Sequence, residues 1–170
     1  MSGYTENTYV KTKGGSVLIT KLTLGHEIAC LVVDPITQEK TIEYIKSSVI
    51  QHYPSKFDGP FDMYQICEDD IEIKITLNHK MLVRYPNNKE YISVRVENKI
   101  SQENNNNPSE FGYYVMSENG KEHFITHIGD GDRIYGHDKT DNKTVYRVEV
   151  PTDNGMILVS ANPDKEYFWC

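Results

Sequence analysis

The chain is short of cysteine, short of positive charge and without any long apolar run. Its three cysteines, Cys30, Cys67 and Cys170, are odd in number and far apart. That spacing fits neither a disulfide nor a zinc framework and suits free thiols in a reducing compartment. No apolar stretch approaches the ~18–20 residues that cross a bilayer, and the polar start Met1-Ser2-Gly3-Tyr4 carries no basic-then-apolar leader. A cytoplasmic protein is expected. Lys and Arg number 18 against 25 Asp and Glu, for a net charge of −7, and the acidic surplus falls after residue 60. The only local excess of cations is Lys11, Lys13 and Lys21, too few to neutralise a run of phosphates, so nucleic acid is not expected as a partner. Gly-x-Ser-x-Gly, a Gly-rich phosphate loop with Lys-Ser/Thr, and Cys-x-x-Cys are all missing. No catalytic residue and no cofactor is assigned.

What is present is ample core material: 38% hydrophobic and 11% aromatic residues, with 12 tyrosines, in 170 residues. This is enough for one average domain or two small ones. Residues 1–13 are expected to be a flexible start. Gly14-Gly15 leads into Val17-Leu18-Ile19 and Leu22-Thr23-Leu24, and after Gly25-His26 comes Glu27-Ile28-Ala29-Cys30-Leu31-Val32-Val33, ended by Asp34-Pro35. These two runs read as a hairpin. From Thr41 to Tyr53, Ile42, Ile45, Val49 and Tyr53 recur at spacings of three and four, and Pro54 follows. That spacing predicts an amphipathic helix, with Glu43, Lys46 and Ser47 facing away.

Further along, Phe61 to Cys67 and Met81 to Tyr85 read as strands, as does Tyr91 to Val96. Ile71-Glu72-Ile73-Lys74-Ile75-Thr76-Leu77 alternates apolar and polar residues, as a strand with one wet face does. Residues 99–110, with Asn104 to Asn107 in a row, read as a linker or loop. Beyond it, short apolar runs separated by Gly, Asp and Asn turns predict a small β module over 111–170. His123, His127, Asp130, Asp132, His137 and Asp138 are the densest set of ligand-type residues, but histidines four apart in a strand stand about 13 Å from each other, too far for one ion. No metal site is assigned. Cys30 and Cys67 read as core residues, Tyr113-Tyr114 and Tyr167-Phe168-Trp169 as mostly packed aromatics.

A hairpin feeding one helix that packs across a sheet is the order of a β-grasp domain. The segment Lys21 to Pro35, the helix from Thr41 to Tyr53, and Gly59-Pro60-Phe61-Asp62-Met63-Tyr64-Gln65-Ile66 with its acidic tail at Glu68-Asp69-Asp70 resemble the N-terminal ubiquitin-like domain of the talin head and related Ras-association domains. The expected architecture is therefore α+β and mostly β: a ubiquitin-like domain at 14–98, then the β module. The resemblance implies a non-enzymatic protein-binding adaptor in cytoskeletal or adhesion signalling that engages an activated Ras-family GTPase by strand addition. Carried over by position, the partner-binding residues are Lys21, His26, Lys40 and Lys46. The rival reading is a small-ligand or nucleotide-processing β protein with its site between the two halves, using His123, His127 and Tyr146.

Overall fold

The structure, a computed structural model, describes residues 3–54, 62–68, 71–76, 78–95, 112–125, 133–135 and 144–170. The Asn-rich segment, Gly59-Pro60, Asp69-Asp70, His127, Asp130, Asp132, His137 and Asp138 lie outside the described residues. Among the described residues the regular elements are strands and one 3₁₀ turn at Ile19–Lys21, with no α-helix. In chain order the strands are β1 (Tyr4–Thr5), β2 (Tyr9–Thr12), β3 (Gly15–Leu18), β4 (Glu27–Val33), β5 (Lys40–Lys46), β6 (Val49–Pro54), β7 (Asp62–Glu68) and β8 (Ile71–Thr76). They continue as β9 (Lys80–Val83), β10 (Ile92–Arg95), β11 (Tyr113–Met116), β12 (Glu122–Ile125), β13 (Arg133–Tyr135), β14 (Thr144–Glu149), β15 (Leu158–Ser160) and β16 (Phe168–Trp169). No helix among the described residues is long and apolar enough to cross a membrane.

Two six-stranded sheets dominate. One runs β13-β7-β8-β1-β14-β6 and the other β16-β15-β2-β4-β5-like in order, with β3 attached to β2; the pairs β9–β10 and β11–β12 form two small sheets. The start of the chain is woven into both large sheets: β1 lies between β8 and β14, and β2 pairs with β15, β3 and β4. The last strands fold back onto the first ones, so a β-grasp domain followed by a module is not what these sheets show. The mostly-β expectation holds at the coarser level.

The expected helix is the largest local correction. Residues 40–54 are extended, β5 pairing with β4 from Glu27↔Lys46 to Val33↔Lys40 and β6 pairing with β14 from Val49↔Glu149 to Pro54↔Thr144. Thr41, Ile42, Ile45, Val49 and Ile50 are β-branched, which penalises the helix and favours a pleated surface. Ser47 and Ser48 carry the chain from one sheet to the other. The Ser47 hydroxyl lies within hydrogen-bond reach of the carbonyls of Val49 at 2.8 Å and Glu149 at 2.6 Å, sharing its one hydrogen between them, and the Ser48 amide donates to the Glu149 carbonyl at 2.8 Å. Three- and four-residue spacing thus arose from two strands with a step between them. The expected hairpin is also corrected: β4 begins and ends as its composition suggests, but β3 folds onto β2, and β4 is flanked by β2 and β5.

The core follows from alternation. Ile28 and Cys30 enter one buried cluster with Ile71, Ile73, Ile75, Met81, Val83, Ile157, Val159, Phe168 and Cys170. Their neighbours Ala29 and Leu31 enter a second with Leu82, Met156, Leu158, Tyr167 and Trp169. A strand buried on both faces reads as a continuous apolar run, which is why Glu27–Val33 and Met156–Val159 carry so few polar residues. Burial here decides stability: Ile28 is fully buried whereas Ile42 is 40% exposed. In urea titrations Ile28→Ala is expected to cost about 2–5 kcal/mol and Ile42→Ala to stay within about 0.5 kcal/mol; a large loss at Ile42 would be the mark of a helical core at 41–53.

Candidate functional site

Two Thr-x-x-His turns occur in the chain, and their contrast locates the site. In both, the histidine amide donates to the threonine carbonyl at 3.1 Å, from His26 to Thr23 and from His79 to Thr76. At the first, the imidazole closes its own turn: His26 Nδ1 accepts from the Thr23 amide at 3.0 Å and lies 3.1 Å from the Thr23 hydroxyl. At the second the imidazole is not used that way. The Thr76 hydroxyl accepts from the Gly3 amide at 2.9 Å and donates to Asn78 Oδ1 at 3.0 Å, and His79 Nδ1 is sealed from solvent with no hydrogen-bond partner among the described residues. A buried ring nitrogen without a partner is costly, and such positions are enriched in functional groups.

Both ends of the described chain meet this imidazole. Thr76 ends β8, and its main chain brackets residue 3, because its amide also donates to the Gly3 carbonyl at 3.0 Å. Tyr4, in β1 and opposite Ile75 and Tyr146, sets its ring edge-on to His79 with centroids 4.5 Å apart. From the other end, Cys170 exchanges two main-chain hydrogen bonds with Ile157, at 3.0 and 3.1 Å. Its carbonyl takes a second hydrogen bond from the Tyr4 hydroxyl at 2.8 Å. One carbonyl therefore receives an amide and a phenol at oxyanion-hole distances.

Glycine at position 3 is required by close approach. A Cβ there would sit 2.4 Å from Val145 Cγ1 and 2.6 Å from the Tyr146 carbonyl oxygen, so the backbone of β14 excludes any side chain. Among the described residues at this cluster, the thiol of Cys170 is therefore the available sulfur nucleophile; Cys30 lies in β4 on the far side of Ile157, at a bridge to that residue.

Electrostatics pull the two reactive groups apart. Burial lowers the His79 pKa to about 4, partly opposed by the Cys170 main chain beside it, so the imidazole is neutral at pH 7. Burial pushes the Cys170 thiol up to about 12 and the Tyr4 phenol well above its ordinary value, with Cys170 adding to the rise. Both groups are therefore neutral at pH 7. Beside them opens a cleft of about 520 Å³, lined by Ser48, Lys80, Arg95, Glu149 and Asp153 in addition to His79 and Cys170. This volume is within the range of ligand clefts and accommodates an extended segment of a few residues.

The residues assigned from sequence fall elsewhere. Lys46 faces Glu27 across the β4–β5 pair, one residue from His26, while Lys40 is at the opposite end of β5, about 20 Å away at strand rise. Lys21 closes the 3₁₀ turn, and Lys40 lies 5.8 Å from the Tyr91 ring. His123 is held 2.8 Å from Glu166 and stacks edge-on to Phe168, whereas Tyr146 belongs to a different sheet. The rival site's two described residues are thus not brought together. Among the described residues no group of three or more His, Cys, Asp or Glu converges as metal ligands.

Tyr4, Thr76, His79 and Cys170 went unassigned. Their signal is the repeated Thr-x-x-His spacing, at 23–26 and 76–79, in the second case directly after an alternating strand.

No sequence family matches this chain, and no curated protein does. Solved structures do. The AceL NrdHF class 3 split intein, studied as a splice-inactive variant, superposes with a TM-score of 0.63 at 19% identity over 98% of this chain and 96% of its own. This is the intein fold. The bacterial intein-like domain from Clostridium thermocellum follows at 0.59 and 14% identity, covering 99% and 98%, and the DnaB intein from Synechocystis sp. PCC 6803 at 0.55 and 11%, covering 100% and 99%. Coverage of 96–100% in both directions leaves no place for a ubiquitin-like domain. The kinship with talin-type and Ras-association domains, and with it the GTPase-binding adaptor, is overturned: its central helix is a pair of strands, and the intein fold accounts for their order.

The lowered His79 pKa has a measurable consequence. Between about pH 6.5 and 4 the unfolded chain binds a proton that the folded site refuses, so stability rises with pH across that window and is lost on acidification. From this group alone the loss amounts to roughly 3 kcal/mol. Urea midpoints taken from pH 7 down to about pH 4.5 should fall more steeply for the native chain than for His79→Gln; equal slopes would mean that the imidazole is not buried.

Proposed function

We propose that this chain is a protein-processing domain of the intein fold, with Cys170 as the nucleophile and His79 as the group that moves its proton. Inteins are self-splicing domains, and the observation that carries the reading here is that Tyr4 and the Cys170 main chain meet at the buried His79 ring, whose Nδ1 has no partner among the described residues, while Gly3 is held by Thr76 at the start of the same turn. A domain that acts on peptide bonds at its own edges needs those edges beside its reactive groups. In the step assigned to Cys170, Sγ adds to a peptide carbonyl carbon, the C–N bond breaks, and a thioester forms on sulfur. His79 takes the thiol proton through its free ring nitrogen and returns it to the departing amine, so that no net proton is consumed. Residue 3, without a side chain, supplies no nucleophile of its own.

The cleft beside Cys170 is lined from both halves of the chain, as the rival reading expected, and a peptide backbone suits its mixed lining of Lys80, Arg95, Glu149 and Asp153 better than the run of cations a nucleotide needs. The test is to express the whole chain with a reporter peptide before residue 1 and another after residue 170, then follow intact mass with and without a small thiol or hydroxylamine. Cleavage or joining of the reporters is expected, and its loss in both Cys170→Ala and His79→Ala. A native fusion that stays intact under these conditions overturns the reading.

A further inference from the structure

We infer that Tyr4 is the positioning residue of this site: its hydroxyl docks the main chain of Cys170 while its ring holds the imidazole of His79. The inference rests on the proposed function and deepens it. Tyr4 touches both members of the pair. Tyr4 is 2% exposed, donates to the Cys170 carbonyl at 2.8 Å and meets the His79 ring at 4.5 Å and 61°.

Each partner has ties of its own, and Tyr4 adds one to both. The His79 ring has a hydrogen bond with the Cys170 main chain, its Nδ1 has no partner among the described residues, and Tyr4 supplies the edge-on aromatic wall against which the ring packs. Cys170 sits one residue beyond β16 and is tied to β15 only through Ile157. Cys170 is buried, and a third hydrogen bond from a rigid, buried phenol reinforces its pair of main-chain bonds. The raised pKa of that phenol keeps it a donor at all ordinary pH. Tyr4 is itself locked between β8 and β14, so the dock belongs to the sheet and not to a mobile side chain.

The experiment uses the full chain and Tyr4→Phe, which keeps the ring against His79 and removes only the hydroxyl. Two rates are read: processing of the flanked chain, and alkylation of Cys170 by iodoacetamide, assigned by peptide mass mapping with buried Cys30 as the internal control. With the dock lost, alkylation of Cys170 should rise about tenfold and processing fall about tenfold, with the pH profile of processing keeping its shape and the thermal midpoint little changed. A merely structural tyrosine would move the midpoint and expose Cys30 as well. If neither rate changes by more than about twofold, or processing falls while Cys170 alkylation stays put, the docking role is overturned. A native chain that processes nothing, yet shows faster Cys170 alkylation in Tyr4→Phe, upholds the dock and sinks the processing function.

Discussion

Ile157 is the residue on which the rest of the architecture turns. It sits between two cysteines, bridged to Cys30 of β4 on one side and exchanging both main-chain hydrogen bonds with Cys170 on the other. Fully buried itself, it places the end of the chain in the interior next to the strands from its beginning. Beside that seam β16 is held by β15 and by a bridge from Phe168 to Ser117, so that Phe168 and Cys170 enter one hydrophobic cluster and Tyr167 and Trp169 the other. Aromatic residues at a chain end are ordinarily a puzzle; here they are the wedge that joins two cores.

Around this seam the site is built from mismatched groups. The same dryness that protects the cysteine from solvent raises its pKa and lowers that of the histidine, so the resting state is two neutral groups instead of an ion pair. A different cluster supplies rigidity away from it: Arg84 binds Glu122 through two nitrogens at 2.8 and 3.0 Å, donates to the Asn88 carbonyl and lies over the Tyr114 ring at 4.3 Å, while Tyr91 donates to the same carboxylate at 2.8 Å. That network holds Glu122 well below the usual carboxylate range, through the Arg84 and then the Tyr91 hydrogen bonds, and knits β9, β11 and β12 together.

Much of the strand content was legible in the sequence. Glu27–Val33 and the alternating Ile71–Thr76 run are read correctly because their side chains meet the pleat directly, one doubly buried and one singly. The segment 40–54 was misread because two strands offset by the Ser47-Ser48 step reproduce helical spacing, and only the abundance of β-branched residues argued otherwise. The topology was not legible at all: β1 pairs with β14 and β2 with β15 across almost the whole chain length, and no local pattern announces a contact of that span. The site suffers from the same blindness. Gly3, Tyr4, Thr76, His79 and Cys170 share no motif longer than Thr-x-x-His, and they become a site only when first and last strands are laid side by side.

That adjacency carries a consequence for any larger polypeptide containing this domain. Residues 3 and 4 and residue 170 are joined through one threonine, one imidazole and one phenol, so a backbone entering at one and departing at the other does so through a single narrow doorway. A host protein could accommodate the whole fold in a surface bend without prising its own strands apart.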